Sequence, residues 1–278
     1  MSKDWNPQHY QRFEKERNRP PAELLARIAH IQAQRIADLG CGSGSSTALL
    51  RQAWPQAEIT GVDSSPAMLA VAQEKLPDCR FVLQDFHDWQ PETPQDIVFA
   101  NASLQWSDTP QTLLPHLIRQ LKQGGVLAAQ MPDNLDEPSH FLMRDTAALP
   151  QWKDLTQAAD SRPPVWDVSR YYDLLVAQGC EVDVWRTVYY HVLPDTVAIA
   201  DMFASTALRP YLACLDEAQQ GEFMQAYIEQ LNQHYPRRHD GNVLLALPRM
   251  LSWRTKGRPS ETAAALIKIK TIFQTALR

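Results

Sequence analysis

The chain is 278 residues long, 44% hydrophobic and 21% charged, with a formal net charge of −5 at pH 7: enough for one large α/β domain with insertions or two small ones, and without the basic excess that a nucleic-acid binder shows. No apolar run approaches the ~20 residues that span a bilayer, and the polar opening at residues 1–7 lacks the apolar stretch of a secretory signal, so a cytoplasmic location and no membrane partner are expected. Cys41, Cys79, Cys180 and Cys214 lie far apart with no C-x-x-C pair, and the eight histidines include no H-E-x-x-H spacing, so neither a disulfide framework nor a metal site is expected.

Five apolar, strand-like runs occupy 35–39, 58–62, 80–83, 96–100 and 126–130, with helical patterns at 46–53, 66–75 and 110–121 between them. Alternation of this kind predicts a doubly wound, mostly parallel sheet with helices on both faces. Ser65-Pro66 reads as a cap followed by a proline in the first helical turn, and Gly124-Gly125 as the end of the helix before the fifth strand. In the second half, 181–193 alternates in part and 243–253 is a second long apolar run able to pair with it. Pro248 cannot donate to a ladder and points to an edge position or a bulge there. The result is a seven-stranded Rossmann-like α/β sheet with an antiparallel edge strand. Residues 195–235 read as helix broken near Arg209-Pro210 and, with the polar, proline-containing 136–165, suggest a lid.

The densest chemical signal is Asp38-Leu39-Gly40-Cys41-Gly42-Ser43-Gly44, a strand end followed by a glycine turn and a helix. Glycines let backbone approach a ligand where a Cβ would collide. Gly40-x-Gly42 also begins the dinucleotide pattern G-x-G-x-x-G, but Ser45 holds the place of its third glycine. A carboxylate just before the loop suits a ligand with positive charge, as S-adenosylmethionine (SAM) has in its ammonium and sulfonium. Asp63 ends the second strand about 20 residues past the loop, where an acid accepts bonds from ribose hydroxyls. Asp85 follows the third strand, placed to accept from an adenine amino group, and Asn101 follows the fourth. Each acid has a plainer reading, as a helix cap or turn residue. All four stand in register at the strand ends that meet at a ligand crevice.

With those residues in hand, the chain resembles the class I SAM-dependent methyltransferases: the Asp38–Gly44 loop, Gly61-Val62-Asp63, Leu83-Gln84-Asp85 and Gly124-Gly125-Val126-Leu127 match their motifs. The resemblance implies that Asp38, Gly40, Gly42 and Gly44 hold the methionine portion of SAM, that Asp63, with Ser64 beside it, binds the ribose and Asp85 the adenine, and that Met68 and Phe86 flank the ring. Longer strings are similar to the trans-aconitate methyltransferase family: Asp4-Trp5-Asn6-Pro7, Phe99 through Trp106, Gln130-Met131-Pro132-Asp133-Asn134, Trp185-Arg186-Thr187, Tyr189-Tyr190-His191 and Leu208-Arg209-Pro210. This likeness covers roughly 4–251 and fails beyond, where a basic, helix-like tail replaces the family pattern.

The resemblance implies methyl transfer to a carboxylate of trans-aconitate, a small anionic partner, with no general base and no metal. Candidate substrate residues are Arg209, His191, Tyr190 and Arg17, with Tyr10 and Trp106 as pocket walls. Another small polycarboxylate is the nearest alternative. A nicotinamide-dependent oxidoreductase and a non-catalytic SAM-binding protein are more remote. The expected organisation is an N-terminal lid segment at 1–20, a SAM-binding core at 21–135, a lid insertion at 136–165, core again at 166–194, a helical lid at 195–240, the last strand at 241–253 and the tail at 254–278. A monomer is favoured over an oligomer.

Overall fold

The computed structural model describes residues 18–157, 159, 163–204 and 206–256; Tyr10, Arg17 and the tail beyond 256 lie outside them. Helix α1 (Arg19–Ile28) precedes β1 (Arg35–Leu39), α2 (Ser45–Ala53), β2 (Glu58–Asp63), α3 (Pro66–Lys75), β3 (Arg80–Leu83), β4 (Gln95–Asn101), α4 (Pro110–Arg119) and β5 (Leu121–Pro132). Then come α5 (Pro138–Ala147), α6 (Lys153–Thr156), α7 (Val168–Ala177), β6 (Cys180–Leu193), α8 (Thr196–Ala204), α9 (Arg209–Leu212), α10 (Glu217–His234) and β7 (Val243–Lys256).

The seven strands form one sheet in the order β3-β2-β1-β4-β5-β7-β6. β1 to β5 run parallel to one another, and β7 runs antiparallel to both β5 and β6. Period-2 alternation divides the strand side chains between two cores. Ala37, Val98, Ala100, Leu127 and Ala129 face one, under α4 and α7, while Ile36, Ile97, Phe99, Val126 and Ala128 face the other, under α1 and α2. Burial on both faces is why β4 reads as an unbroken apolar run. A third cluster joins α5, α8 and α10 to Leu193, Leu245 and Leu247 at the far ends of β6 and β7.

Caps fix several helix starts. The Ser65 side chain accepts from the Met68 N–H ahead of α3, and Asp216 with Gln219 forms a capping box on α10. Each such cap stabilises its helix by about 1 kcal/mol.

Two local expectations are corrected. Helix α4 ends at Arg119, and Gly124-Gly125 does not cap it but lies within β5. Pairing there jumps from Gln95–Leu121 to Ile97–Val126, so the glycines occupy a bulge: Gly124 has φ +76°, and a Cβ on Gly125 would stand 2.8 Å from the Gln95 carbonyl. Pro248 does not put its strand at the edge, since β7 lies between β5 and β6. β5 reaches only as far as Arg249, so at Pro248 the strand has β6 as its one ladder partner and the missing N–H breaks no ladder bond to β5.

Candidate active site

The parallel strands end together on one edge, and the site is built there. The β1–α2 turn holds Gly40 at φ +67° and Gly42 at φ +54°, left-handed backbone that favours glycine. A Cβ on Gly40 would fall 2.3 Å from the Ser103 Cβ, whereas one on Gly42 would meet nothing within 4 Å. The first position is tight because protein fills it; the second opens on unfilled space. Gly44, also left-handed, packs against Ala72 and Leu76 of α3 and its flank.

Carboxylates hold the turn in shape. Asp63 Oδ2 accepts the Gly42 N–H at 2.8 Å, and its Oδ1 accepts the Ser65 N–H at 2.9 Å. Asp38 is fully buried; its Oδ2 accepts from Ser46 Oγ at 2.8 Å and Thr47 Oγ1 at 2.7 Å. Its Oδ1 is equally buried and has no hydrogen-bond partner among the described residues. Burial, only partly opposed by the two hydroxyls, raises the Asp38 carboxyl to about 6. The burial of Cys41, with Asp38 and Asp63 near it, pushes its thiol up and keeps it protonated.

Further along the edge, Asp85 is exposed, and its Oδ1 takes the His87 N–H at 2.8 Å and lies 2.7 Å from His87 Nδ1. His87 Nε2 lies 2.8 Å from Ser107 Oγ, so this imidazole links the β3 loop to the segment after β4. Met68 is buried, Phe86 half-buried and Ser64 exposed. Asn101 ends β4, and its Oδ1 accepts from Gln130 Nε2 of β5.

Beside this crevice is a cavity of about 500 Å³. Its floor is Asn101, Ala102, Gln105, Trp106 and Gln130, at the ends of β4 and β5. Its walls include His140 and Arg144 from α5, Tyr189 and His191 from β6, Arg249 from β7, and Phe203 and Tyr211 from the α8–α9 region. The turn after β4 belongs to both spaces. Ser103 Oγ donates to the Leu39 carbonyl at 2.7 Å, while Ala102, Gln105 and Trp106 line the cavity. Ala102 has φ +52°, the one described non-glycine residue with positive φ, a strain of the kind that gathers at functional sites.

The structure thus places His191 and Trp106 in the lining and leaves two other expected residues out of it. Tyr190 is 59% exposed, because side chains alternate along β6 and the parity that points into the cavity is that of Tyr189 and His191. The hydroxyl of Tyr189 donates to Glu23 Oε2 at 2.6 Å, and burial with that carboxylate pushes its phenol up. Arg209 sits in the first turn of α9, outside the lining; among the described residues the guanidinium groups there are those of Arg144 and Arg249. Tyr189 was legible from strand parity. Arg144 and Arg249 carry no local signal that separates them from other arginines. Among the described residues no group of three or more His, Cys, Asp or Glu could hold a metal ion, and no helix is long and apolar enough to cross a membrane.

Tyr227 of α10 and Tyr235 just after it hold the start of α5: Tyr227 OH donates to the Ser139 carbonyl at 2.6 Å, Tyr235 OH accepts the Ser139 N–H at 3.0 Å, and Ser139 Oγ lies 3.1 Å from His140 Nδ1. These buried bonds fix the start of α5, and with it the side from which Arg144 enters.

A family model described as a methyltransferase domain matches residues 36–125, the stretch holding the glycine turn and the carboxylates. The chain is 52% identical over 247 residues to the trans-aconitate 2-methyltransferase of Klebsiella pneumoniae (strain 342), covering 89% of this chain and 96% of that protein. It is 51% identical, at the same coverage, to the trans-aconitate 2-methyltransferase of Escherichia coli O7:K1 (strain IAI39 / ExPEC). Among solved structures, the YcgJ protein of Bacillus subtilis shares the fold at a TM-score of 0.57 and 15% identity, covering 86% of this chain and 99% of that one. A fold defined by that sheet, with half of its residues shared across nearly the whole of those relatives, leaves one conclusion: the chain belongs to the trans-aconitate 2-methyltransferase family of SAM-dependent methyltransferases.

Proposed function

We propose that this chain transfers a methyl group from SAM to one carboxylate of trans-aconitate, giving a monomethyl ester and S-adenosylhomocysteine. The names of its relatives support that reading. The observation that carries it is the turn after β4, which packs on the glycine loop with Ser103 and lines the cavity with Ala102, Gln105 and Trp106. A donor in the crevice and an acceptor in the cavity would meet across this one turn.

The residues present fit SAM. Gly42 opens on unfilled space, and the buried Oδ1 of Asp38 has no donor among the described residues, as suits a site for a ligand ammonium. We assign Asp38, Gly40, Gly42 and Gly44 to the methionine end, Asp63 and Ser64 to the ribose, Asp85 to the adenine amino group, Met68 and Phe86 to the ring, and Asn101 to the side facing the cavity. Bound there, SAM supplies an electrophilic methyl group on a sulfonium.

The remaining tasks are positional and fall to the chain. A carboxylate is ionised at pH 7, its ordinary pKa being about 4, so no residue is needed as a general base. His191 from the wall and Trp106 from the floor orient the acceptor, and side chains of α5 and α8 close over it. Exclusion of water by that lid favours a step in which opposite charges neutralise. Holding both reactants in line contributes up to ~7–11 kcal/mol to lowering the barrier. The test is radiolabelled methyl transfer across trans-aconitate, cis-aconitate, citrate and isocitrate. Highest kcat/KM on trans-aconitate supports the reading. Preference for another of the four reassigns the substrate, and transfer to none of them removes it.

A further inference from the structure

The acceptor in this reading carries three carboxylates, of which one reacts. Two buried anions then need partners, since a carboxylate taken from water without a compensating donor or charge is strongly penalised. Among the described residues, the lining holds two side chains of permanent positive charge, Arg144 and Arg249. They enter from different layers of the molecule. Arg144 projects from α5 of the lid and is steadied by a 2.9 Å bond from Nη2 to the Leu135 carbonyl. Arg249 projects from β7, in register with Pro132 of β5 and Thr187 of β6.

The two charges also act on different walls. Arg249 makes ionisation of Tyr189 on β6 easier, whereas Arg144 does the same for Tyr211 at α9. One cluster of cations would act on the same neighbours; these two act on separate ones. Asp136 is the one aspartate or glutamate among the described lining residues, so the positive charge is not cancelled by a ring of acids.

Resting on the function proposed above, we propose that Arg144 and Arg249 form two separate carboxylate subsites, each gripping one of the two carboxylates that are not methylated, and that together they select tricarboxylates over dicarboxylates. A planar guanidinium binds a carboxylate through two parallel N–H bonds, so each subsite fixes orientation as well as charge. One subsite belongs to the lid and the other to the sheet, so a full tricarboxylate bridges the two layers and a dicarboxylate does not.

The experiment pairs each residue with the ligand group it serves. Arg144→Ala and Arg249→Ala are assayed with trans-aconitate, and with two competitive inhibitors that each lack one carboxylate: mesaconate, with a methyl in place of the carboxymethyl group, and cis-glutaconate, without the central carboxylate. Each substitution is expected to lower kcat/KM for trans-aconitate by about ten- to a hundredfold, the range of a hydrogen bond to a charged group. Each is expected to weaken one inhibitor by a similar factor and to leave the other, which lacks the matching carboxylate, within about threefold. The two variants should show opposite patterns. Arg144→Lys and Arg249→Lys keep the charge and lose the fork; they should recover part of the loss, and unchanged SAM affinity in all four variants shows that the fold is intact. An unchanged kcat/KM in either alanine variant overturns the assignment, as does equal weakening of both inhibitors. Wild-type protein that methylates no trans-aconitate defeats the function itself, whereas an active wild type without the matched pattern defeats only the two-subsite inference.

Discussion

Gly42→Ala separates the demands of the fold from those of the donor. In the structure its φ is +54°, and an added Cβ meets no atom within 4 Å. The cost to the free protein is therefore backbone strain alone, about 1–2 kcal/mol for a left-handed residue with a side chain. At this chain length that corresponds to a fall in Tm of a few degrees. If SAM lies against this turn, the same methyl group occupies space the ligand needs, and overpacking of that kind costs ~1–3 kcal/mol. SAM affinity should fall by about ten- to a hundredfold by isothermal titration calorimetry, on a protein that still folds cooperatively in a thermal melt. Gly40→Ala is the contrast. Its Cβ collides with Ser103 at 2.3 Å, so it should destabilise the free chain well beyond the Gly42 variant. Unaltered SAM affinity in Gly42→Ala would refute the placement of the donor over this turn.

Asp38 gives a pH signature. Its carboxyl is raised to about 6 from an ordinary 3.8, so between those values the folded chain keeps a proton that the unfolded chain has lost. Stability contributed by this group is present below pH 4 and falls as pH rises to 6, by about 3 kcal/mol in all; Asp38→Asn should remove that slope from a series of chemical denaturations. A cationic ligand prefers the ionised form, so SAM should bind more tightly as pH rises through 6 in the wild type, with a flatter profile in Asp38→Asn. On β6, Tyr190→Ala should leave kcat/KM for trans-aconitate within twofold, whereas Tyr189→Phe, which strips Glu23 of a donor, should lower it by about tenfold. Parallel losses in the two variants would count against the strand parity described above.

The placement of the crevice residues on one sheet edge was legible because it is written locally. Each of Asp38, Asp63, Asp85 and Asn101 sits at or beside the end of an apolar run, and in a parallel sheet such ends share an edge whatever the rest of the chain does. The acceptor side depends on contacts distant in sequence. Tyr189 and Tyr190 are both plausible strand residues. Which one faces the cavity was decided by how β6 meets β7 and the lid, although His191 at the same parity as Tyr189 offered a clue. Arg209 stands in the helical segment read as lid, yet it is α5 that turns Arg144 inward, held by the buried ties of Tyr227 and Tyr235 to Ser139. Arg249 lies beside Pro248 on a strand that looked like an edge by its proline. Only the full strand order shows that β5 stops at Arg249 and leaves space for the cavity there. Gly124-Gly125 likewise reads as a helix stop until the pairing of Leu121 with Gln95 shows that the strand has already begun.

The reaction proposed for this chain makes a new bond between a methyl carbon and a carboxylate oxygen. The most direct measurement is carbon NMR of a reaction containing the purified chain, trans-aconitate and SAM labelled with ¹³C at its methyl group. A single labelled signal in the methyl-ester region, growing as the sulfonium methyl signal decays, is the expected result. Label that stays on sulfur, or that appears on carbon or nitrogen instead of oxygen, would contradict it.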